Sequence, residues 1–154
     1  MGRNPKIKNV VNDESVKVYG LTTSISLHRM AWLLNGLFDW DFIRIGNIYH
    51  HDNYYEVVNE DSSAVFEDNS FLYPILSYEN EVSKYEVDLI GNKGEIDFFI
   101  KELKYIDYLL VFHGEFDYLP DRIAESIRRL DGVQMAVEIP VKNISDSYIL
   151  MSYK

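Results

Sequence analysis

Cysteine is absent from this sequence of 154 residues, and glycine and proline are scarce, with eight and four occurrences. The absence of cysteine excludes disulfides, thiolate metal ligands and cysteine nucleophiles together. So few glycines and prolines exclude collagen-like and low-complexity chains. Apolar runs are far shorter than the roughly 20 residues of a membrane-spanning helix, and no apolar stretch follows the basic positions 1–8. We therefore expect a cytoplasmic protein without a membrane segment or signal peptide.

The composition that remains is that of a globular domain. Hydrophobic residues make up 47% of the chain and charged residues 26%, which excludes an intrinsically disordered protein. A chain of this length matches the usual size of one domain and can bury its own core. We predict a single globular domain over residues 1–154, with residues 1–14 loosely ordered.

Charge is distributed unevenly along the chain. The formal net charge is −10, and the segment from Asp52 to Asp97 holds twelve acidic and two basic residues, so it accounts for the whole excess. This excess argues against nucleic-acid binding, which needs clustered lysine and arginine. Two interpretations of the acidic segment are open. It forms a surface that binds a basic partner or a cation, or it is a solvated sheet face that keeps the protein soluble.

The first third of the chain has the pattern strand, helix, strand. Residues 16–21 are β-prone, and the threonines and serine at 22–24 offer N-caps for a helix. The apolar residues that follow are spaced by three and four positions, which predicts a helix over 24–38. A second short strand is predicted over 41–46.

The middle third alternates between β-prone runs and polar clusters, which predicts an antiparallel sheet. The expected strands cover residues 54–58, 64–67, 71–78 and 82–90. In the last of these strands, side chains alternate between the two faces: Tyr85 points to one face, and Glu86 and Asp88 point to the other. We therefore expect one buried and one solvated face. Pro74 cannot donate to a sheet, so its strand is expected at an edge or at a bend.

The final third repeats strand, helix, strand. A short helical turn is expected over 98–103, a strand over 106–113, a helix after Pro120 and a strand over 133–139. This spacing predicts a right-handed crossover on one sheet. The predicted fold is therefore α+β, a mainly antiparallel sheet with two principal helices on one side. Its preferred form has ferredoxin-like βαβ units that flank a β-meander insertion.

Residues 100–108 read I-K-E-L-K-Y-I-D-Y. Through Ile100, Glu102, Asp107 and Tyr108 this segment resembles the signature of the bacterial IPExxxVDY family, which has proline at the position of Lys101. Further similarities lie at Arg29, Met30, Trp32, Leu34 and Asn35, at Asn92-Lys93, at Gly114-Glu115, and at Gly132-Val133 with Ala136, Glu138 and Ile139. The family has no established activity, so the resemblance implies no function.

The apolar stripe of the first predicted helix leaves Arg29, Trp32 and Asn35 away from its centre. A large aromatic ring outside the stripe needs a second contact, which is another layer of the protein, a second subunit or a ligand. An arginine beside it suits recognition of planar or anionic groups. These three residues are therefore candidate binding residues. The structural alternative buries Trp32 between two layers and pairs Arg29 with a carboxylate.

His113 is the strongest candidate for acid–base chemistry. It stands at the end of a buried strand and ahead of a helix, where ligands gather in open sheets. Glu115 or Asp117 would orient it as a general base. No complete catalytic constellation accompanies it, so we favour a protein that is not an enzyme.

No cofactor or metal site is predicted. His50, His51 and Asp52 are adjacent, but neighbouring residues on a strand point to opposite faces, and no further ligand has a recognisable spacing. The sequence also lacks the glycine-rich phosphate loops of nucleotide-binding proteins.

Three functions remain open from the sequence. The first is non-catalytic protein interaction, either homo-oligomerisation or binding of a partner on the acidic, tyrosine-rich middle third, with Glu86 and Asp88 on the contact surface. The second is a ligand-sensing regulatory domain with a small molecule near Arg29, Trp32 or His113. The third is an enzyme that uses His113 with Glu115.

Overall fold

The computed structural model describes residues 15–51, 54–59 and 72–154. Within these ranges seven strands form one sheet: β1 (Val16–Thr23), β2 (Ile43–His50), β3 (Tyr55–Val58), β4 (Leu72–Asn80), β5 (Tyr85–Gly91), β6 (Tyr108–Gly114) and β7 (Val133–Ile139). The helices described are α1 (Leu27–Phe38), α2 (Ile123–Arg128) and α3 (Ile149–Ser152), with a 3₁₀ turn over Val141–Asn143. The predictions for residues 1–14 and 64–67 lie outside the described residues.

The order of strands across the sheet is β3-β2-β4-β5-β6-β1-β7, and every neighbouring pair is antiparallel. β6 and β7 both run antiparallel to β1, which lies between them, so α2 connects two parallel strands in a split βαβ unit. α1 likewise connects β1 to the parallel strand β2, farther along the sheet. The predicted α+β class is confirmed.

α1 begins where the sequence changes from strand to helical periodicity. The Ser26 side chain accepts a hydrogen bond of 3.4 Å from the Arg29 N–H, as N-cap serines do. Met30 and Leu34 are buried against the sheet, and the helix ends at Asp39, whose backbone is left-handed with φ of 58°. The predicted first helix is confirmed and begins three residues later than expected.

Different parts of the chain cover the two faces of the sheet. α1 and α2 pack on one face, over buried side chains that include Leu21 and Val87. Residues 98–106 and 141–154, which we call the cover segments, pack on the other face over side chains that include Ile75. Both principal helices therefore lie on one side of the sheet, as predicted.

β5 is buried on both sides, so the prediction of one solvated face is wrong. Tyr85, Val87 and Leu89 face the helices, as the alternation predicts. On the opposite side Asp88 is 0% exposed and Glu86 is only partly exposed. The cover segments come from distant parts of the sequence, and they convert this expected surface into an interior.

β4 is an interior strand between β2 and β5, so the expected edge position of Pro74 is also wrong. Pro74 lies where the pairing of β4 with β5 ends, and its ring faces Gly91, where an added Cβ would lie 2.8 Å from the ring. The strand predicted over 82–90 begins at Tyr85, because Val82 lies in a turn and is 92% exposed.

Asn92 fixes the first cover segment. Its fully buried side chain donates to the carbonyls of Leu103 (2.9 Å) and Ile106 (3.1 Å). Its side-chain oxygen accepts from the Ile100 N–H at 2.8 Å. These bonds hold the segment in turns, which explains why the helical turn predicted over 98–103 does not form.

The signature segment of the sequence also ties the cover to its neighbours. Glu102 accepts hydrogen bonds from the backbone and hydroxyl of Ser145, at 2.8 and 3.1 Å, and so joins the two cover segments. Asp107 accepts from the Thr23 N–H at 2.9 Å and pairs with Lys93 at 2.7 Å. The signature side chains therefore contribute to the architecture of the sheet and its cover.

Candidate functional site

Strand register brings four polar side chains together under the second cover segment. Ser77 of β4 is paired with Asp88 of β5, and Glu86 of β5 is paired with His113 of β6. The Ser77 hydroxyl donates to Asp88 Oδ1 at 2.7 Å. Because Asp88 is fully buried, its carboxylate requires charge and hydrogen-bond partners.

Tyr153, which follows α3, is one of those partners. Its hydroxyl donates to Asp88 Oδ2 and lies 2.8 Å from His113 Nε2. A carboxylate only accepts, so the Tyr153 hydrogen is used on Asp88 and the His113 Nε2–H donates to the Tyr153 oxygen. Burial raises the pKa of Tyr153 well above its ordinary value, and the neighbouring Asp88 raises it further.

Lys154 supplies the positive charge. Its ammonium donates three hydrogen bonds to the side-chain oxygens of Ser77 (3.0 Å), Glu86 (3.1 Å) and Asp88 (3.0 Å), which we call the ammonium cage. Burial alone would lower the pKa of Lys154, but Asp88 and Glu86 outweigh it and raise the pKa overall. The ammonium is therefore held in its charged form.

His113 is the neutral member of this group. Burial lowers its pKa, Asp88 and Glu86 oppose that effect, and Lys154 lowers the pKa further. With the Nε2–H committed to Tyr153, the ring acts as a hydrogen-bond donor within the cluster. Its Nδ1 has no protein partner in the described part of the chain.

A metal ion would compete with these partners. Glu86, Asp88 and His113 each place one ligand atom within 4.8 Å of the others, a spacing that a metal ion could bridge. The same groups already bind Lys154 and Tyr153. A metal would have to displace both side chains, so the geometry favours an ammonium group.

Two shallow clefts adjoin the cage and share Glu79. One has a volume of about 440 Å³ and is lined in part by Asp41 and Lys154. The other has a volume of about 300 Å³ and is lined in part by Glu81 and His113. The cage is thus reached from the surface of the protein by two routes.

Carboxylates surround these clefts, and we call this region the acidic end. It comprises Asp39, Asp41, Glu79, Glu81 and Glu86. Asp39 ends α1, whose last turn has no basic residue, so its charge adds to the negative end of the helix dipole. Glu79 and Glu86 are directly opposite each other on β4 and β5, and like charges so placed destabilise a sheet. Lys154 offsets the charge of Glu86, but Asp39 and Glu79 still oppose folding and concentrate negative potential beside the cage.

Arg29 and Trp32 lie together on the outer side of α1. The Arg29 guanidinium is 5.8 Å from the centre of the Trp32 ring, and Trp32 is 67% exposed. The alternative that buries Trp32 between two layers is wrong, because no described element covers this side of α1. Asn35 serves the fold instead, since its side-chain oxygen accepts from the Phe42 N–H at 2.9 Å.

His113 and Glu115 do not form the predicted pair. Glu115 is exposed beyond the end of β6 and shares no hydrogen bond with His113 in the described structure. His113 faces the cover and contacts Tyr153 and Asp88, whose Oδ2 lies 3.6 Å from Nε2. The chain turns at Gly114, where φ is 105°, and this separates the two side chains.

Half of the cluster is not evident from the sequence. Tyr153 and Lys154 join it through hydrogen bonds to Asp88 and Ser77 that span 65 and 77 residues, and Ser77 bonds Asp88 across the pairing of β4 with β5, 11 residues away. One local signal is the spacing of Ile149 and Tyr153 by four positions, which indicates a helical turn with one buried side. That signal predicts packing of the segment without saying what it packs against.

The adjacent histidines after β2 take part in separate contacts. The His50 ring stacks on Tyr55, with 4.3 Å between ring centres. The His51 Nε2 lies 2.8 Å from a carboxylate oxygen of Glu56. Asp52 lies outside the described residues, so the structure adds nothing to the triplet considered as a metal site.

Comparison with known proteins gives no relative, since no family model, curated protein or solved structure matches this chain. No helix in the described ranges combines the length and the apolar character needed to cross a membrane. The function must therefore be inferred from the site itself.

Proposed function

We propose that this chain is a non-catalytic binding domain whose acidic end receives a basic segment of a partner protein. The observation that carries the proposal is the acidic end itself, where four carboxylates and Lys84 line two clefts beside a cage that holds a lysine ammonium, and Asp39 lies close by. Carboxylates that oppose folding are explained if a cationic partner neutralises them on binding.

The same region also offers apolar contact area. Ile43 is 61% exposed and lines the larger cleft, and Val82 is 92% exposed in the turn beside Glu81. Protein interfaces combine apolar contacts with polar and charged groups at the rim. The acidic end therefore suits a protein segment that contains both basic and apolar residues.

Fluorescence anisotropy with a labelled hexalysine peptide tests this proposal. We expect the double variant Glu79→Gln, Glu81→Gln to bind about tenfold more weakly than the wild type, because two rim charges are lost. The double variant Glu95→Gln, Glu138→Gln is the matched control, since it has the same net charge and changes exposed acids elsewhere. Equal weakening in both variants would show attraction to net charge alone and would contradict the proposal.

Self-association through the outer side of α1 is the second candidate. Trp32 is 67% exposed, and the position of Gly36, one helical turn later on the same side, is open to solvent. An exposed aromatic ring beside open helix surface suits contact with a second subunit. In this alternative the Arg29–Trp32 pair lies between two subunits.

Membership of the IPExxxVDY family and a cytoplasmic location are likewise proposals. The contacts of Glu102 with Ser145 and of Asp107 with Thr23 and Lys93 give the signature positions a physical role in joining the cover to the sheet. The fold needs no disulfide, so a reducing compartment such as the cytoplasm is compatible with it.

A further inference from the structure

The ammonium cage is built to match one chemical group. Three side-chain oxygens, from Ser77, Glu86 and Asp88, surround the Lys154 nitrogen at 3.0–3.1 Å. A primary ammonium has three N–H donors, so each donor finds one acceptor. The Asp88 side chain is 0% exposed, whereas those of Glu86 and Lys154 are 26% and 29% exposed. The cage thus has a buried floor and an open rim.

We propose that the cage is an exchangeable site for primary ammonium groups, and that a lysine side chain of the partner enters it when Lys154 swings out. The entry of a partner's lysine rests on the proposed function, whereas the ammonium site itself does not. Lys154 is then the occupant of the site in the free protein, and the partner's lysine replaces it with a group of the same charge.

The geometry selects lysine over arginine. A guanidinium is planar and presents its donors in a fixed fork, whereas the three oxygens converge on one nitrogen. The larger cleft beside Lys154 is lined by Ile43 and Ile45, which suit the methylene stem of an incoming lysine. Exchange needs only the partly exposed Lys154 side chain to move, while Tyr153 stays buried in its place.

Chemical rescue of Lys154→Ala tests the cage. The variant leaves the buried Asp88 without its cation, so we expect the Tm to fall by about 5 °C or more. Methylammonium chloride at about 0.1 M should recover roughly half of the loss in a saturable manner. Tetramethylammonium chloride at the same concentration, which has no N–H donor, should recover none. Equal effects of the two salts, or none from either, would overturn the site.

Peptide binding to the wild type tests the entry of a partner's lysine without relying on a variant. Hexalysine should bind about fivefold more tightly than hexaarginine, and acetylated hexalysine should not bind. Equal binding of the lysine and arginine peptides would overturn lysine entry while leaving the acidic end as the docking surface. Loss of binding by both peptides would instead overturn the proposed function, and rescue of Lys154→Ala would still establish the cage as an ammonium site.

Discussion

At the scale of single residues, the two tryptophans differ in exposure and in role. Trp32 lies off the buried stripe of α1 and is 67% exposed. Trp40 is 5% exposed, its indole N–H donates to the Tyr85 hydroxyl at 2.9 Å, and its ring contacts Phe112. The fold depends on Trp40, whereas Trp32 is available for contacts outside the chain.

Replacement of Trp32 by serine should therefore leave the fold intact. We expect the free energy of unfolding in urea to change by less than about 0.5 kcal/mol, whereas Trp40→Ala should lose about 3–5 kcal/mol. Sedimentation velocity of the same protein tests self-association through α1. If that alternative holds, the wild type is a dimer and Trp32→Ser is a monomer. A large loss of stability in Trp32→Ser would contradict the exposed position of the ring.

At the scale of elements, the first cover segment is held by polar contacts. Asn92 supplies three side-chain hydrogen bonds to the backbone of the segment, and Glu102 ties the segment to Ser145. Asp107, the residue that follows the segment, accepts from the Thr23 N–H. A segment of turns cannot satisfy its own backbone as a helix does, so a buried side chain has to supply the missing partners.

Asn92→Ala should consequently loosen the whole segment. The change leaves the Ile106 carbonyl and the Ile100 N–H without their side-chain partner, while the Leu103 carbonyl keeps its bond from the Ile106 N–H. We expect a loss of about 3 kcal/mol in the free energy of unfolding. Denaturation in urea measures this loss. Asn143→Ala, at an exposed position, is the control and should change stability by less than about 0.5 kcal/mol. A loss below about 1 kcal/mol for Asn92→Ala would show that the segment is held by its apolar contacts.

Elements with a clear period were predictable from the sequence, and what covers them was not. β7 occupies the predicted residues 133–139, and α1 follows its apolar stripe. The alternation along β5 separates Asp88 from Val87 correctly, yet it cannot reveal that a segment more than 60 residues later buries Asp88. Partners such as Tyr153 are set by long-range packing, which leaves no period in the local sequence.

At the scale of the whole molecule, charge and stability are in opposition. The net charge is −10, and the acidic end gathers carboxylates where a helix dipole and a facing glutamate disfavour them. The partly exposed Lys154 ammonium offsets part of this charge, and the cluster around Asp88 holds His113 neutral. The protonation state of His113 therefore links the stability of the protein to pH.

Acidification should destabilise the protein through His113. Burial holds its pKa in the folded state below the unfolded value of 6.5, so below that pH the unfolded chain binds more protons. This contribution to stability is present above pH 6.5 and is lost as the pH falls through the folded pKa. We expect the Tm, measured by calorimetry, to fall from pH 7 to pH 5. The fall should be smaller in His113→Gln.

His28→Gln provides the control for this profile, because His28 is exposed on α1. It should reproduce the pH dependence of the wild type. An unchanged slope in His113→Gln would assign the acid sensitivity to other groups.

The long sequence separation within the ionic cluster also has a consequence for biosynthesis. Asp88 and Lys154 are 66 residues apart, which corresponds to about 3–13 seconds of translation at the usual rates. Throughout that interval the emerging β5 carries a carboxylate whose cation and tyrosine have not yet been made. The sheet can therefore close over Asp88 only after Tyr153 and Lys154 have been made, and a ribosome that stalls before residue 153 leaves the acidic side of β5 uncovered.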